Sequence, residues 1–247
     1  MSVRARLLAA LLTCAALLLS GCLSNQLTAP EWGDEKSAFE LSDIAKGDVD
    51  IMVETLQRAL FNHLREMTQK LYWRNPREWR KTDADGWQER VDELFDNPQS
   101  HQWRFQELDG AVGVEAIHLA FRESYEGDRV FAFAAGIGGM LMASYENKTE
   151  FFLFDLNSLD PQKLYNSARN LEIAFWKLTH MRSESGDLYL LSNEPGSLET
   201  NQDLSFERLA GKIIVIQDLL AQIVAQKTKR AIKQALQFIA SSVFLPI

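Results

Sequence analysis

The sequence predicts a mainly α protein, an irregular antiparallel helix bundle with at most a minor two-stranded β pairing. Two observations predict it. Apolar residues recur at three- and four-residue steps along most of the chain. Asn75-Pro76 and Asp160-Pro161 pair a capping residue with proline at the first helical position, which marks helix starts. Sequential helices joined by short loops favour antiparallel neighbours.

The elements follow in order. Val49, Val53, Leu56, Leu60, His63, Met67 and Leu71 line one face of a helix over 48–71. Asn75-Pro76 opens a short turn through Lys81, and Trp87, Val91 and Leu94 form the apolar side of a piece over 85–95 that stops at Asn97-Pro98. A helix-compatible stretch covers 110–122. Asp128 caps a helix over 130–145 that is apolar almost all round. Gly136, Gly138 and Gly139 weaken that helix by up to about 1 kcal/mol each relative to Ala. Its sixteen residues suit a core helix whose glycines admit a close neighbour better than a membrane-inserting segment. Residues 151–154 and 188–191 read as two short strands that pair with each other. Between them runs a helix from Pro161 to about Arg182, striped by Leu164, Ala168, Leu171, Phe175 and Leu178. The longest element is expected over 203–243, on a seam of Leu209, Ile213, Ile216, Leu220 and Ile223, with Gly211 as an early break point. The apolar end, Phe244-Leu245-Pro246-Ile247, is expected to fold onto the bundle.

Composition narrows the class of function. The 247 residues are 46% hydrophobic, 24% charged and 10% aromatic, the balance of a chain that buries a core. A formal charge of −8 argues against general nucleic-acid binding, which needs a cationic face.

The amino terminus carries the most specific pattern. Arg4 and Arg6 precede an apolar run of thirteen residues, Leu7 to Leu19, broken only by Thr13. As a helix it is about 20 Å long against about 30 Å of hydrocarbon, a secretory h-region rather than a span. Leu19-Ser20-Gly21-Cys22 follows and resembles the lipobox of bacterial lipoproteins at every position. The resemblance covers about a tenth of the chain. It implies cleavage between Gly21 and Cys22, diacylglyceryl on the Cys22 thiol and acylation of the new amino group. It also implies sorting by Leu23, which in a Gram-negative source directs transfer to the outer membrane, where Asp would retain the protein at the inner one. The expected organisation is a signal peptide over 1–21, a lipidated cysteine and tether over 22–41, and a single helical domain over 42–247. Cys14 leaves with the signal, so Cys22 is the only cysteine of the mature chain and no disulfide can form within it. The expected location is the periplasmic face of the outer membrane, with acyl chains as the membrane partner.

Catalytic motifs are missing from the sequence: no Gly-x-Ser-x-Gly, His-Glu-x-x-His or phosphate loop occurs. Glu115-x-x-His118 has the spacing of half a di-iron site, but no second Glu-x-x-His exists, so no metal or cofactor is expected. The densest anomaly is Tyr72, Trp73, Arg74, Arg77, Trp79, Arg80 and Lys81, four cations and three aromatics around one acid, Glu78. This run suits a surface for anionic groups, sugar faces or partner carboxylates. The alternative is a structural corner, its tryptophans in the core and its arginines paired to the acids of 83–96. Lys227, Lys229, Arg230 and Lys233 form a second basic cluster, expected to be a solvated face. The functional expectation is a non-enzymatic envelope protein working by interaction with an envelope partner: assembly, scaffold or accessory transport. A helical binder of a lipid or other apolar ligand is the first alternative, an envelope hydrolase the second.

Overall fold

Each sustained helical period becomes a helix, and their packing decides which face turns inward. The computed structural model describes residues 47–152, 155–193, 204–233 and 243–247. The lipobox, the tether, residues 153–154, most of the 193–202 loop and residues 234–242 lie outside them. The described residues fall within one compact unit, Ile44–Ile247. They form eight α-helices: α1 (Asp48–Arg74), α2 (Pro76–Trp79), α3 (Trp87–Phe95), α4 (Pro98–His101), α5 (Val114–Ala120), α6 (Arg129–Ser144), α7 (Pro161–His180) and α8 (Ser205–Thr228). The mainly α class is as expected.

Helix α1 starts where the Asp50 carboxylate accepts from the Gly47 N–H at 2.8 Å. It ends because Pro76 can neither donate nor let Asn75 stay helical. Its buried stripe is Val53, Gln57, Leu60, Leu64, Met67 and Leu71. Leu64 takes the inner position expected of His63, which with Leu56 sits half-buried on the flank.

Helix α6 is the centre of the bundle. The Asp128 side chain accepts from Phe131 N at 3.0 Å and starts the helix as expected. All its residues except Ala143 are buried, so this is a core helix. A Cβ on Gly136 would lie 2.6 Å from Ile117 N and 2.8 Å from Gly113 O, and one on Gly138 would lie 2.1 Å from the Trp103 ring. Glycine there lets α5 and Trp103 seat directly on the α6 backbone.

Helix α7 is capped by Asp160, which accepts from Gln162 N at 2.9 Å. Helix α8 packs on α7 and α1. Gln217, fully buried in its inner face, bonds Tyr145 just past α6 and, at 2.6 Å, Ser167 of α7. A polar hub thus occupies the centre of a seam expected to be apolar, tolerated because its partners are present.

Three expectations are corrected. Helix α8 ends at Thr228, where Lys229 turns left-handed at φ 55°, so α1 with 27 residues is longer than α8 with 24. Gly211 lies within α8 on an open face and breaks nothing. Among the described residues, 151–152 do not pair with 188–191, and residues 153–154 of the expected strand lie outside the described ones. Phe151 is buried without regular structure, its N–H on Glu54 Oε1 at 2.7 Å. Leu188 makes a single antiparallel bridge to Arg182, because the turn through Gly186 (φ 88°) brings the neighbouring segment back first. The C-terminal residues do fold onto the bundle: Asn170 holds both backbone groups of Leu245, at 2.7 and 2.9 Å, and Asn166 donates to Pro246 O.

Candidate interaction site

The corner between α1, α2 and the residues through Lys81 has an inner layer and an outer one. The inner layer is a buried ionic network. Tyr72, fully buried, donates from its hydroxyl to Asp128 Oδ2 at 2.8 Å. Arg90 lies 3.4 Å from the same carboxylate, holds both Glu107 oxygens at 2.7 Å, and lies over the Phe131 ring at 3.8 Å. Glu78, also buried, accepts from Lys81 Nζ at 2.7 Å, Arg77 Nε at 3.1 Å and Arg129 N at 2.9 Å. Burial pushes the Asp128 carboxyl above its ordinary range, against the pull of the Phe131 N–H, Arg90 and Tyr72. Burial, reinforced by Asp128, also holds Tyr72 well above the usual phenol value.

The outer layer faces a groove of about 530 Å³. Arg74, Arg77 and Arg80 line one side, with Arg182, Asp187, Leu188 and Leu191 from the segment after α7 on the other. The two sides are joined through Asn75, whose side chain accepts from Leu191 N at 2.7 Å and donates to Leu191 O at 2.8 Å. Asn75 therefore clamps this segment instead of capping α2. Arg77 also donates to Tyr189 O at 3.0 Å, and Arg182 to Gly186 O at 2.9 Å. The Arg80 guanidinium lies over the Trp79 ring at 5.2 Å. Four guanidiniums and one carboxylate line the groove among the described residues.

Of the seven residues singled out in the sequence, Tyr72 belongs to the inner layer, Lys81 bonds Glu78 there and Gly127 O, Arg77 joins both layers, and Arg74 and Arg80 face the groove. The tryptophans are not in the core. Trp73 is 61% exposed and meets Trp87 edge-on at 5.6 Å, while Trp79 is half-buried. Arg77 and Lys81 do not pair with the acids of 83–96. Arg65 takes Asp92 and Asp96 at 2.5 and 2.8 Å, and Glu93 goes to Arg90. Arg182 and Asn75 were missed because no spacing rule links Arg182 to Arg80 across a hundred residues.

The other chemistry-bearing groups stay apart. His180 stacks on Trp176 at 4.7 Å, His118 meets Phe244 edge-on, His101 lies against Phe105 and His63 sits on the flank of α1. Among the described residues no group of three His, Cys, Asp or Glu side chains is placed to hold a metal ion. In the second basic cluster, Arg230 donates to the Leu159 and Asn157 carbonyls, while Lys227, Lys229 and Lys233 are exposed. A second cavity, of about 190 Å³, lies between Phe61, Phe95, Trp103 and Met142. It falls below the usual range of about 300–1,000 Å³ for small-molecule sites, and Gly139, Met140 and Ala143 of the 130–145 segment line a separate cleft of about 460 Å³ with Phe244, Leu245 and Pro246.

No family model, curated protein or solved structure matches the chain. What it does is read from its own residues.

Proposed function

We propose that this is a lipid-anchored envelope protein, held at the periplasmic face of the outer membrane through acyl chains on Cys22, that works without catalysis by gripping an anionic group of an envelope partner in the arginine groove. The observation that carries the recognition is the two-layer corner. Glu78 and Asp128 are consumed within the fold, where they fix the backbone of the corner. Arg80 and Arg182 face the groove, whose described lining holds a single acid, Asp187, in a chain with a net charge of −8. A cationic concavity on an acidic protein concentrates the field that draws an anionic group there. Guanidinium forks suit carboxylates and phosphates because they donate two parallel hydrogen bonds. The lipobox at Leu19-Ser20-Gly21-Cys22 supports the anchor.

The test is site-directed photocrosslinking from Pro76, beside the groove, in cells that lipidate the protein. The reading expects a discrete crosslinked species that is lost in Arg80→Glu and Arg182→Glu. An unchanged crosslinking pattern in both variants would reject the groove as the recognition site.

A further inference from the structure

The outer edge of the contact between α1 and α8 carries an apolar seam that the bundle does not cover. The two helices run antiparallel. His63 lies close enough to Lys212 for the lysine to oppose its protonation. Gln57 bonds Lys148 O, and Tyr145, three residues earlier, bonds Gln217, so α1 numbers fall as α8 numbers rise. From His63, steps of four and three residues lead back through Ala59 and Leu56 to Met52 along one flank of α1. From Lys212, the same steps lead through Ile216 and Leu219 to Ile223 along α8. Both rows lie beside the buried faces through which α1 and α8 pack, with Glu66 4.0 Å from His63 at one end. Leu56, Ile216 and Ile223 are half-buried against the core and form the floor. Met52 and Leu219, both 43% exposed, form the rim, extended on α8 by Val215 at 56%. Helix α8 carries an eighteen-residue window with mean hydropathy 1.4, of which only 39% is buried.

From this seam we infer that the body has a second membrane contact: the α1/α8 edge rests on the surface of a phospholipid leaflet. The occupant follows from where the chain enters. The chain that bears Cys22 enters α1 through its first residue, Asp48, four residues before Met52, so the apolar rim lies at that end of α1. Met52 and Arg74 are separated along α1 by about 33 Å at 1.5 Å per residue. A body seated on this edge therefore holds the arginine corner at the opposite end of α1 from the entry point. The inference rests on the lipid-anchor reading, in which the acyl chains supply attachment and the seam supplies orientation.

Flotation of the chain from Leu23 to Ile247, which keeps every described residue and carries no lipid, tests it with vesicles of phosphatidylethanolamine and phosphatidylcholine. The protein should float with the vesicles. Met52→Asp and Leu219→Asp should each lower the bound fraction about tenfold, since apolar area is exchanged for a charge at the interface, with the melting temperature unchanged. Absence of flotation, or flotation indifferent to both variants, overturns the inference. So does a dimer in sedimentation velocity that Leu219→Asp dissociates, because the occupant is then a second copy. Acyl labelling of the full-length protein reports on the anchor separately, so failure of the seam and failure of the anchor are distinguishable.

Discussion

The Tyr72 hydroxyl donates to the Asp128 carboxylate across 2.8 Å with both side chains buried, tying the end of α1 to the start of α6. Tyr72→Phe should destabilise the fold by about 1–3 kcal/mol, since it leaves a buried carboxylate short of a donor. Asp128→Ala should cost about 3–5 kcal/mol, because it removes the helix cap and leaves Arg90 and Tyr72 under-satisfied in the interior. Urea unfolding at pH 7 measures both. Equal and negligible effects would mean the corner is not held by this network.

Glycine-to-alanine substitutions along α6 should separate by what the new methyl meets. At Gly136 it strikes the backbone at Ile117 and Gly113, and at Gly138 the buried Trp103 ring. Each should cost about 1–3 kcal/mol despite the gain in helix propensity. Gly139→Ala should be close to neutral, its nearest neighbour being Gly113 N at 3.2 Å, whereas Gly139→Leu should cost a few kcal/mol by the same overpacking. Similar melting temperatures for Gly136→Ala, Gly138→Ala and wild type would show that the α6 face is loosely packed.

Acid should weaken the fold through histidine. The imidazoles of His63, His101 and His118 all lie below their ordinary pKa, chiefly through burial, aided by Lys212 at His63 and Lys177 at His118. The unfolded chain takes up these protons near pH 6.5 and the folded chain only at lower pH, so stability falls as pH drops through about 6.5. Asp128 has the opposite sign: its raised pKa makes the folded state gain stability as pH falls through it toward the ordinary carboxylate range. The histidine contribution is read as a difference: between pH 7.5 and 5.5 the urea midpoint of His101→Phe should lose less, or gain more, than that of the wild type. A slope unaltered by that variant contradicts the assignment.

Charge reversal on the groove should separate binding from folding. Arg80 and Arg182 are exposed, and Arg80→Glu or Arg182→Glu should shift stability by no more than about 0.5 kcal/mol. Partner crosslinking through the groove should be lost in both. Unfolding of either variant in thermal melts would mean that its guanidinium is part of the scaffold.

Helices were legible in this sequence because period, proline and capping act locally. Asp128 and Asp160 do what their positions suggest, and the apolar run of α6 is a core. Val53, Leu60, Met67 and Leu71 of the expected α1 stripe are buried, but Gln57 and Leu64 take the inner positions expected of Leu56 and His63, because only the packing of α6 and α8 selects between neighbouring phases. Among the described residues 188–191 do not meet 151–152, and Asn75 takes the Leu191 backbone with its side chain, a long-range bond that propensity cannot register. For the same reason the corner was visible as a basic aromatic run, but its division into buried Glu78 and Tyr72 beneath groove-facing arginines was not. Gln217, which no apolar period marks as interior, is buried because Ser144, Ser167 and Tyr145 converge on it.

The account depends most on what happens at Cys22, and intact-mass analysis of the protein extracted from membranes by detergent addresses that directly. The predicted result is a chain beginning at Cys22 and carrying three acyl groups, with Cys22→Ser giving no acylated species. A chain that begins at another residue, or that carries no fatty acyl mass, would contradict it.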